Sequence, residues 1–203
     1  TYNRLEGSLA VRGLFDSLYA IVMAGKTSVQ PHTYVFDVDT LTLSAGAYSW
    51  RNEQDVQFRT NYDGTRVMHA TMTRAGESID LKGMLHYTGA FDFEASLRKF
   101  DLAGLEQLLH NTKMQESEQG FSGLVDASLQ LSGATTAPVI TFSATIENTS
   151  YRQTRIGSVR ASIVYRDLSA MLNIVVTAGA DDSTPRLTIN GTLPVSLAIE
   201  GVT

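Results

Sequence analysis

The sequence has no cysteine, four prolines and a single tryptophan. Without cysteine there is no disulfide, thiolate ligand or thiol nucleophile, and the redox compartment is unmarked, because an exported chain lacking disulfides reads the same way. No apolar run approaches the roughly 18 to 20 residues that cross a bilayer as a helix. The N-terminus also lacks the basic, apolar and small-residue order of a signal peptide. Basic residues are scarce, 16 against 21 acidic ones, for a net charge of -5 and a pI near 5.3. No local cluster of lysine and arginine offsets this, so no nucleic-acid partner is expected.

Disorder is equally out of place, since 43% of the residues are apolar and 18% charged. The 203 residues suffice for one sizeable domain or two small ones and can bury a core without staples. Strand-like sequence at both ends gives the expectation of a piece cut from a larger, elongated protein.

Alternation dominates the chain. Leu187, Ile189, Gly191, Leu193, Val195, Leu197 and Ile199 are separated by Thr188, Asn190, Thr192 and Ser196, the period of a strand with one apolar and one wetter face. The same pattern recurs from Ile79 to Tyr87, Phe91 to Leu97, Val125 to Leu131, Ile140 to Ile146 and Val159 to Tyr165. Turn-forming clusters such as Tyr62-Asp63-Gly64, Ala75-Gly76-Glu77 and Tyr87-Thr88-Gly89 separate the runs. A meander of antiparallel hairpins follows.

One short helix is expected near 101–111, with Asp101 as N-cap and Leu102, Leu105, Leu108 and Leu109 on one face. The polar, aperiodic stretch from Lys113 to Gly120 reads as a linker. The chain then divides into a first β repeat over 1–112, a linker over 113–122 and a second β repeat over 123–203, stacked as one continuous module. At a spacing of 103 residues Leu43 meets Ile146, Tyr48 meets Tyr151, Val56 meets Val159, Tyr62 meets Tyr165 and Met68 meets Met171. The phase slips in one hairpin, where Met68, Ala70 and Met72 stand against Leu172, Ile174 and Val176, and a bulge would absorb the slip. Repeats of this kind stack and share a core, leaving terminal edges through which the chain can self-associate.

Reactive constellations are sparse. His32, His69, His86 and His110 are scattered, with none at zinc-ligand spacing. Asp37 with Asp39 and Asp181 with Asp182 read as a solvated strand face and a polar turn. Gly120-Phe121-Ser122-Gly123 lacks the spacing of a nucleophile elbow, and no phosphate-binding glycine loop occurs. Asn148-Thr149-Ser150 and Asn190-Gly191-Thr192 match the glycosylation pattern, one of them inside a strand. Trp50 with Tyr48 reads as core or edge packing before it reads as a binding aromatic. The expectation is a non-enzyme without cofactor or metal.

What remains is the apolar stripe: Phe58, Leu81, Leu85, Phe91, Phe93, Leu129, Leu131, Ile140, Phe142, Ile146, Ile163, Ile174, Val176, Leu187, Ile189, Leu193 and Leu197. Periodicity alone favours a closed sandwich or barrel core. A single sheet folded over without a second layer would instead leave the stripe open to acyl chains or to apolar β-strands.

The order of motifs around the expected helix adds a resemblance. Phe91-Asp92-Phe93-Glu94-Ala95-Ser96-Leu97 leads into Phe100-Asp101-Leu102-Ala103-Gly104-Leu105, and later into Gly123-Leu124-Val125-Asp126-Ala127-Ser128-Leu129-Gln130-Leu131-Ser132-Gly133. Ala137-Pro138-Val139 and Asn148-Thr149-Ser150-Tyr151 follow. This sequence resembles the TamB and AsmA-like family, most closely over residues 91–180. The resemblance implies a mostly β chain, an elongated antiparallel meander of repeated strands folded into an open taco-like groove. It also implies a periplasmic module of an inner-membrane-anchored protein that moves phospholipid between membranes or aids outer-membrane protein assembly. The partners implied are phospholipid acyl chains and, through the parent protein, an Omp85-type barrel. The family carries no catalytic residues to transfer. The alternative is a sealed β-sandwich, a structural or adhesive module making protein contacts.

Overall fold

The computed structural model describes residues 5–15, 19–45, 48–102, 120–152, 154–179 and 184–197. They form one 13-stranded antiparallel sheet. Its strands are β1 (Leu5–Phe15), β2 (Tyr19–Gln30), β3 (Thr33–Ala45), β4 (Tyr48–Asn52), β5 (Val56–Asn61), β6 (Gly64–Arg74), β7 (Glu77–His86), β8 (Ala90–Asp101), β9 (Phe121–Ala134), β10 (Ala137–Tyr151), β11 (Thr154–Arg166), β12 (Ser169–Thr177) and β13 (Pro185–Pro194). Spatial order follows chain order, except that β4 and β5 share one strand position between β3 and β6. The fold is therefore the mostly β antiparallel meander that the alternation foretells.

Tight turns make the meander possible. Ala75 and Gly76 have φ of 48° and 89°, and Asp167 and Leu168 have 52° and 60°, the paired positive angles of two-residue hairpins whose twist matches that of the flanking strands. Tyr87-Thr88-Gly89 instead closes a three-residue turn with Gly89 at φ 80°.

The break between β4 and β5 is held by one side chain. Asn52 Oδ1 accepts the Leu41 backbone N–H at 2.7 Å, and its Nδ2 donates to the Gln54 and Asp39 carbonyls at 2.8 and 3.2 Å. The backbone groups freed where the strand departs from its ladder are thus satisfied, as burial requires.

The phase slip between the repeats has a structural cause. The β6–β7 register jumps between Val67 and Ala70, so Val67, Ala70 and Met72 share a face despite their uneven spacing. In β12, Ala170, Leu172, Ile174 and Val176 keep strict alternation. One inserted residue in β6 is the expected bulge. The repeat itself maps strand onto strand: β3 onto β10, β5 onto β11, β6 onto β12 and β7 onto β13, with Leu43 and Ile146 or Val56 and Val159 at corresponding places.

The expected helix begins where the sequence places it: Asp101 ends β8, paired with Leu124, and Leu102 after it is helical; past Leu102 the helix lies outside the described residues. Two boundaries differ from expectation. The expected linker lies outside the described residues too as far as Ser117-Glu118-Gln119, but its last residues, Phe121 and Ser122, already belong to β9. The alternating run read as continuing to Ile199 stops as a strand at Pro194, which has no N–H to extend a ladder. Beyond it the Val195 N–H is donated to the Leu168 carbonyl and the Leu197 N–H to the Tyr165 hydroxyl, both at 3.0 Å.

Candidate functional site

Antiparallel partners point to the same side of a sheet, so the register shows which side chains share a face. One row runs Phe36, Phe58, Val67, Gly83, Phe93, Leu131, Ile140, Tyr165, Ala170 and Leu193. A second runs Ala70, Leu81, Ala95, Leu129, Phe142, Ile163, Leu172 and Gly191. A third runs Met72, Ile79, Leu97, Ala127, Ala144, Ala161, Ile174 and Ile189, and Phe100, Val125, Ile146, Val159, Val176 and Leu187 make a fourth. Every residue of the sequence-derived stripe that lies in a strand falls on this face, and Leu197 joins it from beyond β13.

The opposite face is polar. Lys82 pairs with Glu94 at 2.7 Å, Thr71 donates to Asp80 at 2.7 Å, Ser128 and Ser143 hydroxyls meet at 2.7 Å, and Asn173 donates to Asn190. The hydrogen bond to Glu94, then its charge, hold the Lys82 ammonium above its ordinary range. Such exposed pairs add little to stability, but they keep this face wet.

The apolar face has a plugged end. Val38, Leu41, Trp50, Val56, Ala70, Met72, Phe100 and Val125 form the buried cluster, with Ile79, Leu81, Leu97 and Ile146 packed against it. Trp50 is 2% exposed and stacks between Tyr48 at 6.0 Å and Phe100 at 5.6 Å. It is a core residue, so the packing reading of this aromatic is the one the structure bears out.

Toward the other end lies a cavity of about 640 Å³ lined by Val67, Leu85, Phe91, Phe93, Leu131, Ile140 and Leu197, with Thr65, Thr135 and Pro138 at its margin. No lining side chain is ionisable. Gly83 forms part of its floor, with φ 152°, and a Cβ there would come 2.7 Å from the Phe93 ring. The missing side chain leaves room for the Phe93 ring. Hollows of about 290 and 300 Å³ on the polar face, around Asp80, Lys82 and Glu94, lie between the paired charges.

The stripe thus divides four ways. Leu85, Phe91, Phe93, Leu131, Ile140 and Leu197 meet at the cavity. Phe58, Leu81 and Ile146 back the buried cluster. Leu129, Phe142, Ile163, Ile174 and Val176 are half-buried between, and Leu187, Ile189 and Leu193 are 52%, 45% and 60% exposed on β13. The sequence reading missed Val67, hidden by the β6 bulge, and Pro138, which stands before the alternating run that starts at Ile140.

Asp37 accepts from Gln57 Nε2 at 2.7 Å, while Asp39 is exposed where the β2–β3 register shifts. His69 lies on the surface, 3.6 Å from Asp80. Among the described residues no three His, Cys, Asp or Glu side chains gather as metal ligands would. No family model, curated protein or solved structure matches this chain.

Proposed function

We propose that the chain is a non-catalytic module that holds acyl chains along the apolar face of an open β groove. The observation that carries this reading is one continuous apolar face, plugged at one end and leading at the other into a 640 Å³ cavity without an ionisable lining. That volume falls within the roughly 300–1,000 Å³ of ligand pockets.

Openness is favoured by the exposure of the apolar face. On β9 to β13 most of its side chains, Val125, Pro138 and Tyr165 apart, stay half-buried or exposed, where a sandwich core would hide them. An acyl chain gains roughly 0.8 kcal/mol per CH₂ removed from water, enough for retention after ordering costs and without hydrogen bonds. Low selectivity among acyl chains follows.

With the motif order that resembles the TamB and AsmA-like family, this reading extends to a periplasmic segment of an inner-membrane-anchored protein working in phospholipid transport or outer-membrane protein assembly. Native mass spectrometry of the chain purified from bacteria, with solvent extraction, tests the acyl-chain reading. Co-purifying phospholipid, lost in Leu85→Asp with an unchanged circular dichroism spectrum, is the expected result; Leu85 is 57% exposed, so the charge does not threaten the fold. A lipid-free chain that binds no apolar dye would overturn the reading in favour of the sealed structural module.

A further inference from the structure

Along the sheet edge away from the Trp50 plug, hairpin tips carry large apolar side chains in the open. Tyr62, Tyr87 and Leu168 occupy turn positions where small polar residues are the usual choice, yet they are 77%, 66% and 57% exposed. Backbone hydrogen bonds fix the tips relative to their neighbours. The Asp63 carbonyl accepts the Tyr87 N–H at 3.1 Å, the Gly89 carbonyl accepts the Thr135 N–H at 3.0 Å, and the Leu168 carbonyl accepts the Val195 N–H at 3.0 Å.

Successive tips in a meander recur every second strand, about 10 Å apart, so Tyr62, Tyr87 and Leu168, with the Thr135-Thr136 tip between the last two, form a ridge along this edge rather than a pocket. The apolar cavity reaches the same edge, since Thr65, Leu85 and Thr135 of its lining adjoin these turns. At the opposite edge the Ala75-Gly76 turn bears no large side chain, and the exposed apolar residues there, Leu14, Phe121, Leu124 and Tyr151, lie within strands rather than on tips, Phe121 and Tyr151 packing on each other with ring centroids at 4.9 Å.

We infer that this ridge seats in a lipid–water interface, with zwitterionic lipid as its partner and the cavity mouth facing the bilayer. Tyrosine places an apolar ring among acyl carbons and its hydroxyl among headgroups, which is why it collects at membrane interfaces, and Leu168 adds a wholly apolar anchor. Anionic lipid is disfavoured by the net charge of -5. The contact stands on the tips alone; loading of the cavity through it rests on the acyl-chain reading.

The absence of cysteine makes the test direct. An environment-sensitive fluorophore is attached to Tyr62→Cys, to Tyr87→Cys, and to Thr154→Cys, an exposed site at the opposite edge, and each is titrated with phosphatidylcholine vesicles. The two tip labels are expected to shift to the blue saturably and the Thr154→Cys label to stay unchanged. Adding Tyr62→Glu and Leu168→Glu to the Tyr87→Cys reporter should weaken vesicle affinity at least about tenfold. Silent tip labels, or an equal response at position 154, would overturn the inference. Lipid extraction of the same samples keeps the two readings separate: retained lipid with silent tips sinks the membrane contact alone, and responsive tips without retained lipid sink the acyl-chain reading alone.

Discussion

Trp50 and Phe100 stack with centroids 5.6 Å apart and planes 18° from parallel, although their strands, β4 and β8, are separated by β6 and β7 in the sheet. Both rings belong to the buried cluster that also holds Ala70 and Met72. The contact is capped by polar groups: the indole N–H is donated to Glu77 at 3.0 Å, and Arg74 pairs with Glu77 at 2.8 Å while lying 4.1 Å above the Tyr48 ring. A buried indole needs such an acceptor.

Truncating either ring should therefore hit the buried cluster. Phe100→Ala and Trp50→Ala are expected to cost about 3–5 kcal/mol each in urea unfolding, and Leu193→Ala, on the exposed end of the same face, less than about 0.5 kcal/mol. Equal losses at Phe100 and Leu193 would mean that the face is sealed throughout.

The β4–β5 break supplies a second prediction. Asn52→Ala removes the acceptor of the Leu41 N–H and both donors to the Asp39 and Gln54 carbonyls, so unfolding free energy should fall by about 1–3 kcal/mol. Amide exchange should quicken first at Leu41 and around residues 53–55. A variant as stable as the parent, with Leu41 still protected, would show that water replaces the side chain without loss.

Much of the architecture is legible because a strand's pattern is local. Phe91 to Leu97, Val125 to Leu131 and Ile140 to Ile146 announce their strands and their common face unaided, since one face is apolar and the other is not. The bulge in β6 was also readable, as a phase slip between Met68, Ala70, Met72 and Leu172, Ile174, Val176. What alternation cannot carry is the relation between distant strands. Nothing local pairs Trp50 with Phe100, or brings Leu197 back beside Tyr165 when the pattern runs on to Ile199. Pro194 was the available signal there, because a residue without an N–H ends a ladder. Alternation is likewise silent on whether a face is covered, which is why sandwich and trough read alike in the sequence.

Edge behaviour follows from β13. Its ten residues are all exposed, and among the described residues its outer edge has no partner, whereas β7, its counterpart in the repeat, is paired on both sides. Such an edge templates further strands. Sedimentation velocity should show concentration-dependent association of the chain, and Ile189→Lys, which puts a charge in the middle of β13, should return it to monomer without changing its circular dichroism. Association that persists in that variant would assign it to another surface.

Gly83 links the backbone to the cavity. Its φ of 152° is poorly tolerated by other residues, and a Cβ there would press on the Asp92 carbonyl as well as on the Phe93 ring. Gly83→Ala should therefore lower stability by about 1–3 kcal/mol and reduce lipid retention, because the Phe93 ring must lift into the cavity. Adding Phe93→Ala to Gly83→Ala separates the two effects. Retention should recover in the double variant as the ring leaves the cavity, while stability stays low because the clash with the Asp92 carbonyl persists. Recovery of stability together with retention would mean that the ring, and not the strand backbone, is what demands glycine at this position.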